Sequence, residues 1–132
     1  MKDFVVYHNA KRMGYPASQV DVLSIVTNKS AAGALGARVW LVTGEGKPMR
    51  FYLCGIFNVD SVGPSDHPKY KVQVSGTAGR LFDPLLPIDR EEWFAEFKHT
   101  QGNFAFGFQP ITDQGIVNGL EAISNQARSR SR

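Results

Sequence analysis

Residues 38–62 read RVWLVTGEGKPMRFYLCGIFNVDSV, and the reading of this stretch decides the fold. Val39 and Leu41 alternate with Trp40 and Val42. The run Gly44-Glu45-Gly46-Lys47-Pro48 then turns the chain, and a second alternating run follows. In that run Phe51, Leu53, Gly55, Phe57 and Val59 occupy one face, and Tyr52, Cys54, Ile56 and Asn58 the other. Period-two alternation of β-branched and aromatic residues, interrupted by turn residues, predicts a β-hairpin. Both of its faces carry bulky apolar groups, so the hairpin is expected at the centre of a sheet covered on two sides or closed into a small barrel. Gly55 in mid-strand marks a bend or bulge of the kind barrel closure requires.

Outward from the hairpin, residues 3–7 (DFVVY) predict a first strand ended by His8-Asn9. Residues 11–19 hold Gly14 and Pro16 and predict a loop with about one helical turn. Residues 20–26 are apolar without a period that separates strand from helix. Residues 30–35 predict a short Ala-rich helix ended by Gly36. Beyond the hairpin, residues 63–68 predict a polar loop. Residues 69–75 (KYKVQVS) predict a half-buried strand with Tyr70, Val72 and Val74 inward. Pro84 and Pro87 exclude helix around them. Asp89, with Glu92 three residues on, predicts a capped helix whose apolar stripe is Trp93, Phe94 and Phe97. Residues 103–108 (NFAFGF) predict another strand. Thr112 is the expected cap of a last helix with Ile116, Leu120 and Ile123 on one side. The order predicts a single α+β domain over residues 1–124, built on a small mixed or antiparallel β-barrel flanked by short helices, with residues 125–132 as a basic tail or linker.

The 132 residues suffice for one core and not for two domains. The net charge of +3 equals the contribution of Arg128, Arg130 and Arg132 in the tail, so nucleic-acid binding would need a local cationic patch. No apolar run reaches the roughly 18 residues a membrane span needs. The single cysteine, Cys54, excludes a disulfide framework, reads as a core thiol and gives the cytoplasm as the expected compartment. No phosphate-binding glycine loop, nucleophile elbow or paired-cysteine motif is present, and His8, His67 and His99 lie in separate segments. The expectation is a binding domain without catalysis, cofactor or metal.

Polar groups recur beside aromatics at element ends: Tyr7-His8-Asn9, Tyr15, Ser24, Asn28, Trp40 and Gln109. Aromatic walls with a few amides and hydroxyls suit a planar heterocycle, the rings stacking on its faces and the polar groups reading its edge. Each of these residues also has a structural reading, Trp40 as core and Asn28 as a helix cap.

The arrangement resembles the EVE domain of the PUA-like superfamily. Residues 25–28 (IVTN), a short helix and residues 36–42 (GARVWLV) resemble the Val-Arg-Asn run, helix and strand of that family. Gly55-Ile56-Phe57-Asn58-Val59 resembles its G-I-A-x-V pattern, and Gln109-Pro110-Ile111-Thr112 its Q-P-V-T junction. Where the family carries Tyr-Trp in the first strand, this chain has Val6-Tyr7-His8. The resemblance implies a nucleic-acid reader that extrudes a modified base, 5-methyl- or 5-hydroxymethylcytosine in DNA, into an aromatic pocket. It also implies a possible nuclease domain or partner of the HNH type, as in enzymes that restrict modified DNA. By matched position Asn28 is the leading pocket residue. His8, Asn9 and Ser24 are the other candidates for the base edge, and Tyr7, Tyr15 and Trp40 for stacking. Gln109 serves either the pocket or the strand–helix junction, and Lys11, Arg12, Lys29, Lys47 and Arg50 are assigned to phosphates. A reader of modified RNA, a small-molecule-binding domain on the same fold and a protein-interaction module are the alternatives.

Overall fold

The computed structural model describes residues 2–104 and 108–127. The hairpin forms as read: β3 (Arg38–Glu45) and β4 (Arg50–Asn58) pair antiparallel. They occupy the interior of a five-stranded sheet completed by β1 (Asp3–His8), β7 (Ala78–Pro87) and β8 (Gln109–Pro110), in the order β7-β4-β3-β1-β8. β1 runs parallel to β3, which makes the sheet mixed. A second sheet, β2-β6-β5, is antiparallel and consists of β2 (Ser24–Thr27), β6 (Val72–Ser75) and β5 (Ser61–Pro64). The fold is therefore α+β, but two sheets replace the expected barrel. Among the described residues β7 and β8 end the larger sheet as unpaired edges, and no closed barrel forms.

Each face of the larger sheet carries its own core. Val5, Trp40, Val42 and Leu53 pack under α2 (Phe94–Thr100) and α3 (Gln114–Asn125), against Phe94, Phe97, Ile116, Val117 and Leu120. Val6, Val39, Leu41 and Phe57 face the second sheet and meet Ile25 and Val74. The alternation along β3 holds as read, but along β4 it breaks. Leu41 pairs with Gly55 and Val42 with Leu53, so Cys54 is the extra residue of a bulge. Before the bulge Leu53 points to the helices; after it Ile56 does, and Phe57 points to the second sheet. A strict period-two reading puts Leu53 and Phe57 on one face, whereas one inserted residue reverses the parity. Cys54 itself is fully buried.

Other elements differ from their sequence reading for identifiable reasons. The first loop holds one helical turn, α1 (Ala10–Met13), capped by the Asn9 side chain on Arg12 N–H at 3.1 Å. The Ala-rich segment forms only a 3-10 turn, Ala32–Ala34, with no side-chain cap. The polar loop after the hairpin is partly strand β5, which bonds to β6. Asp89 caps no helix. Its carboxylate takes Arg50 Nε at 2.6 Å, Arg50 Nη2 at 3.0 Å and Phe51 N–H at 3.1 Å, and α2 starts later without a side-chain cap. Asp113, not Thr112, caps α3 through Gly115 N–H at 2.8 Å. Of the strand expected over residues 103–108, the described start is a 3-10 turn, Gly102–Phe104. There Asn103 and Phe104 hold φ of 58° and 64°, in the left-handed region that no strand uses. Residues 105–107 and the tail arginines Arg128, Arg130 and Arg132 lie outside the described residues. No described helix is long and apolar enough to cross a membrane.

The bulge predicts an asymmetry between two glycines. A Cβ on Gly55 would stand 2.8 Å from Leu81 Cδ2 and 3.0 Å from the Arg80 carbonyl oxygen, whereas one on Gly63 meets nothing within 4 Å. Gly55→Ala is expected to cost about 1–3 kcal/mol through overpacking, and Gly63→Ala to be close to neutral, as read from paired urea unfolding curves.

Candidate functional site

A cavity of about 590 Å³ opens where the end of β1, the loop that follows it and β2 come together. Such a volume falls in the range of small-ligand sites, roughly 300–1,000 Å³. Its apolar floor includes Val6, Val20, Ile25 and Leu41, an extension of the core between the two sheets. Aromatic rings come from Tyr7, Tyr15, Tyr70, Phe104 and Phe108; polar groups come from His8, Asn9, Gln19, Ser24, Thr27 and Asn103.

The polar side chains differ in what they have left to offer. Asn9 Oδ1 is engaged in the α1 cap. Thr27 Oγ1 accepts from Lys29 N–H at 3.0 Å, and Ser24 Oγ accepts from Gln73 Nε2 at 2.9 Å. His8 Nε2 sits 2.8 Å from the Tyr15 carbonyl oxygen, which ties the loop to the end of β1. The Tyr7 ring stacks on Phe104 at 5.7 Å. Burial pushes the Tyr7 phenol up, against the lowering effect of its hydrogen bond to the Gly44 backbone. Tyr7 is thus a wall braced on its far side, whereas Tyr15 is exposed and Tyr70 half-buried at the cavity.

The structure brings together Tyr7, His8, Asn9, Tyr15 and Ser24 from the sequence-predicted set. Trp40, Asn28 and Gln109 do not line the cavity. Trp40 is 0% exposed on the helix-covered face, with Nε1–H donated to Asp3 Oδ1 at 2.9 Å. Period-two alternation gave β3 two buried faces, and Trp40 lies on the one away from the second sheet. Asn28, just past β2, is tied to the loop before β6, outside the cavity: its Nδ2 donates to the Lys69 carbonyl at 3.1 Å and its Oδ1 accepts Lys71 N–H at 2.9 Å. Gln109 is half-buried in β8, opposite Val5.

Among the cations assigned to phosphates, Arg12 lines the cavity, Lys11 is its exposed neighbour on α1, and Lys29 is exposed just beyond β2. Lys47 is exposed in the turn over residues 46–49, none of which lines the cavity. Arg50 is bound in the fork to Asp89 and is not available. Sequence reasoning passed over Lys69, Tyr70 and Lys71, taking the lysines as solvent-facing and the tyrosine as core. An aromatic between two cations, K-Y-K, was the signal. Asp21 is the acidic residue on the lining. A second hollow of about 390 Å³ borders Arg38 and Arg80, but Arg38 is bridged to Asp3 and Glu121, and Arg80 donates to the Ser124 carbonyl. Among the described residues no cluster of His, Cys, Asp and Glu has the makings of a metal site.

Comparison with protein-family models, with curated proteins and with solved structures gives no match.

Two predictions follow from side chains the cavity does not use. Asn28→Ala removes both bonds between the end of β2 and the loop before β6 and is expected to cost about 1 kcal/mol of stability per lost bond at most, visible as a lower Tm, while leaving ligand preference unchanged. The hydrogen bonds from Arg50 hold the Asp89 carboxyl down from its ordinary 3.8 to about 2. A depressed carboxylate contributes stability that is whole above its unfolded value and is lost as pH falls through the folded one. Thermal unfolding between pH 5 and pH 2, taken as round limits about these two values, should therefore show wild type losing this contribution below about pH 4, and Asp89→Asn lacking that component.

Proposed function

We propose that the chain is a PUA-like, EVE-type domain that binds nucleic acid and holds an extruded modified base in the cavity, 5-methyl- or 5-hydroxymethylcytosine in DNA. The observation that carries this reading is the cavity itself, walled by tyrosines that come from separate segments and floored by aliphatic side chains. Tyr15 and Tyr70 offer rings for base stacking, which is worth roughly 1–3 kcal/mol per base. The aliphatic floor suits a 5-methyl group. Exposed Lys11, Arg12, Lys29, Lys69 and Lys71 border the same region and make no ion pair with any described residue, which suits phosphates on either side of a flipped nucleotide. Extrusion of the base costs a few kcal/mol, which stacking and edge hydrogen bonds offset. In this reading the domain binds and does not catalyse, and a nuclease partner would perform any cleavage.

The test is binding of one short duplex carrying cytosine, 5-methylcytosine or 5-hydroxymethylcytosine, with an RNA of the same sequence, at two salt concentrations. The expected result is tighter binding of a modified DNA duplex, weakening with salt. Tyr15→Ala and Tyr70→Ala should each reduce that binding about tenfold, with only a small fall in Tm: each loses one ring contact, to His8 at 5.2 Å and to His67 at 5.0 Å, while the bond from His8 to the Tyr15 carbonyl survives. Equal binding of all duplexes, or tighter binding of the RNA, would count against the reading.

A further inference from the structure

His8 is 6% exposed and lines the cavity. A carbonyl oxygen only accepts, so the 2.8 Å contact with Tyr15 places the ring hydrogen on Nε2 and makes Nδ1 of the neutral ring an acceptor. Among the described residues no carboxylate pairs with the ring and nothing donates to Nδ1. No buried side-chain nitrogen or oxygen among them lacks a partner. Among the described residues Nδ1 is therefore unbonded and not fully buried, and the space that His8 borders is the cavity. Ser24 is turned the other way: Ile25 and Val74 face the inter-sheet core, so Ser24 and its hydrogen-bonded partner Gln73 lie on the opposite face of β2 and β6.

Building on the reading of the cavity as a base pocket, we infer that His8 Nδ1 accepts a hydrogen bond from the exocyclic amino group of the bound base. His8 is then the residue that selects amino bases over oxo bases. Cytosines carry that group on the edge at N4, and adenine on the edge at N6. Thymine and uracil turn a carbonyl lone pair toward Nδ1 instead, leaving two acceptors face to face in a site screened from water. A 5-methyl group does not touch this edge, so methylation and amino-group recognition are read by different parts of the cavity.

The experiment compares single strands identical except at one position, which carries 5-methylcytosine, thymine or 5-methylpyrimidin-2-one. The last lacks only the amino group. Wild type is expected to bind the 5-methylcytosine strand about tenfold or more tightly than the other two. In His8→Phe the ring shape is kept and no acceptor remains, so the variant should bind all three alike, with Tm lowered by loss of the bond to the Tyr15 carbonyl. Equal binding of the three strands by wild type, or discrimination retained in His8→Phe, overturns the assignment while leaving the nucleic-acid reading in place. Failure of every strand and duplex to bind removes that reading and the assignment with it. Should His8→Phe not fold, the wild-type comparison still decides, together with the ¹⁵N spectrum of the His8 ring. Nδ1 is expected to resonate as an unprotonated nitrogen, and a hydrogen on Nδ1 overturns the assignment.

Discussion

A strand buried on both faces has to satisfy two cores with one alternating pattern, and β4 does so only because of the bulge at Cys54. Without the extra residue Leu53 and Phe57 would compete for the same side, and one core would lose an anchor. With it, β4 supplies Phe51, Leu53 and Ile56 to the helix-covered core and Cys54 and Phe57 to the inter-sheet core. The two layers that flank the sheet follow from that exchange. The cavity lies at the margin of the inter-sheet layer, where the end of β1 and the loop after it face β2.

Charge placement follows the same division. The helix-covered side uses its charges to hold elements together. Arg38 bonds Asp3 at 2.6 Å and Glu121 at 2.9 Å, linking the start of β1 to α3. Burial works to lower the Arg38 pKa, but the two carboxylates outweigh it and the guanidinium is held further above its ordinary value. Asp3 Oδ1 also takes the Trp40 indole N–H, so one oxygen of the near-buried carboxylate holds both the guanidinium and the indole. Around the cavity the lysines and Arg12 are exposed instead, and their charge is directed at solvent or at whatever the cavity receives.

What was legible in the sequence was local. The hairpin showed itself through alternation and turn chemistry within about 20 residues, the span over which such patterns act. Tyr7, His8 and Asn9 were recognisable as a strand end, and Tyr15 and Ser24 as polar or aromatic positions beside loops. What was not legible depends on partners far along the chain. Asp89 has the residue type of a helix cap, but Arg50 lies 39 positions earlier and takes its carboxylate. Asn28 looked like a cap or a base reader until Lys69 and Lys71, more than 40 positions away, claimed both ends of its amide. The parallel pairing of β1 with β3, and the bridging of β1 to a two-residue β8, leave no periodic trace at all.

That last pairing sets the order in which the protein can be completed as it leaves the ribosome. β1 emerges first, but one side of it waits for β3 and the other for β8, over a hundred residues later. The cavity includes Val6 from that first strand and Phe108 from just before the last. Until the segment around Phe108 has been made, the nascent chain therefore carries the tyrosines and cations of the cavity region without the completed wall beside them.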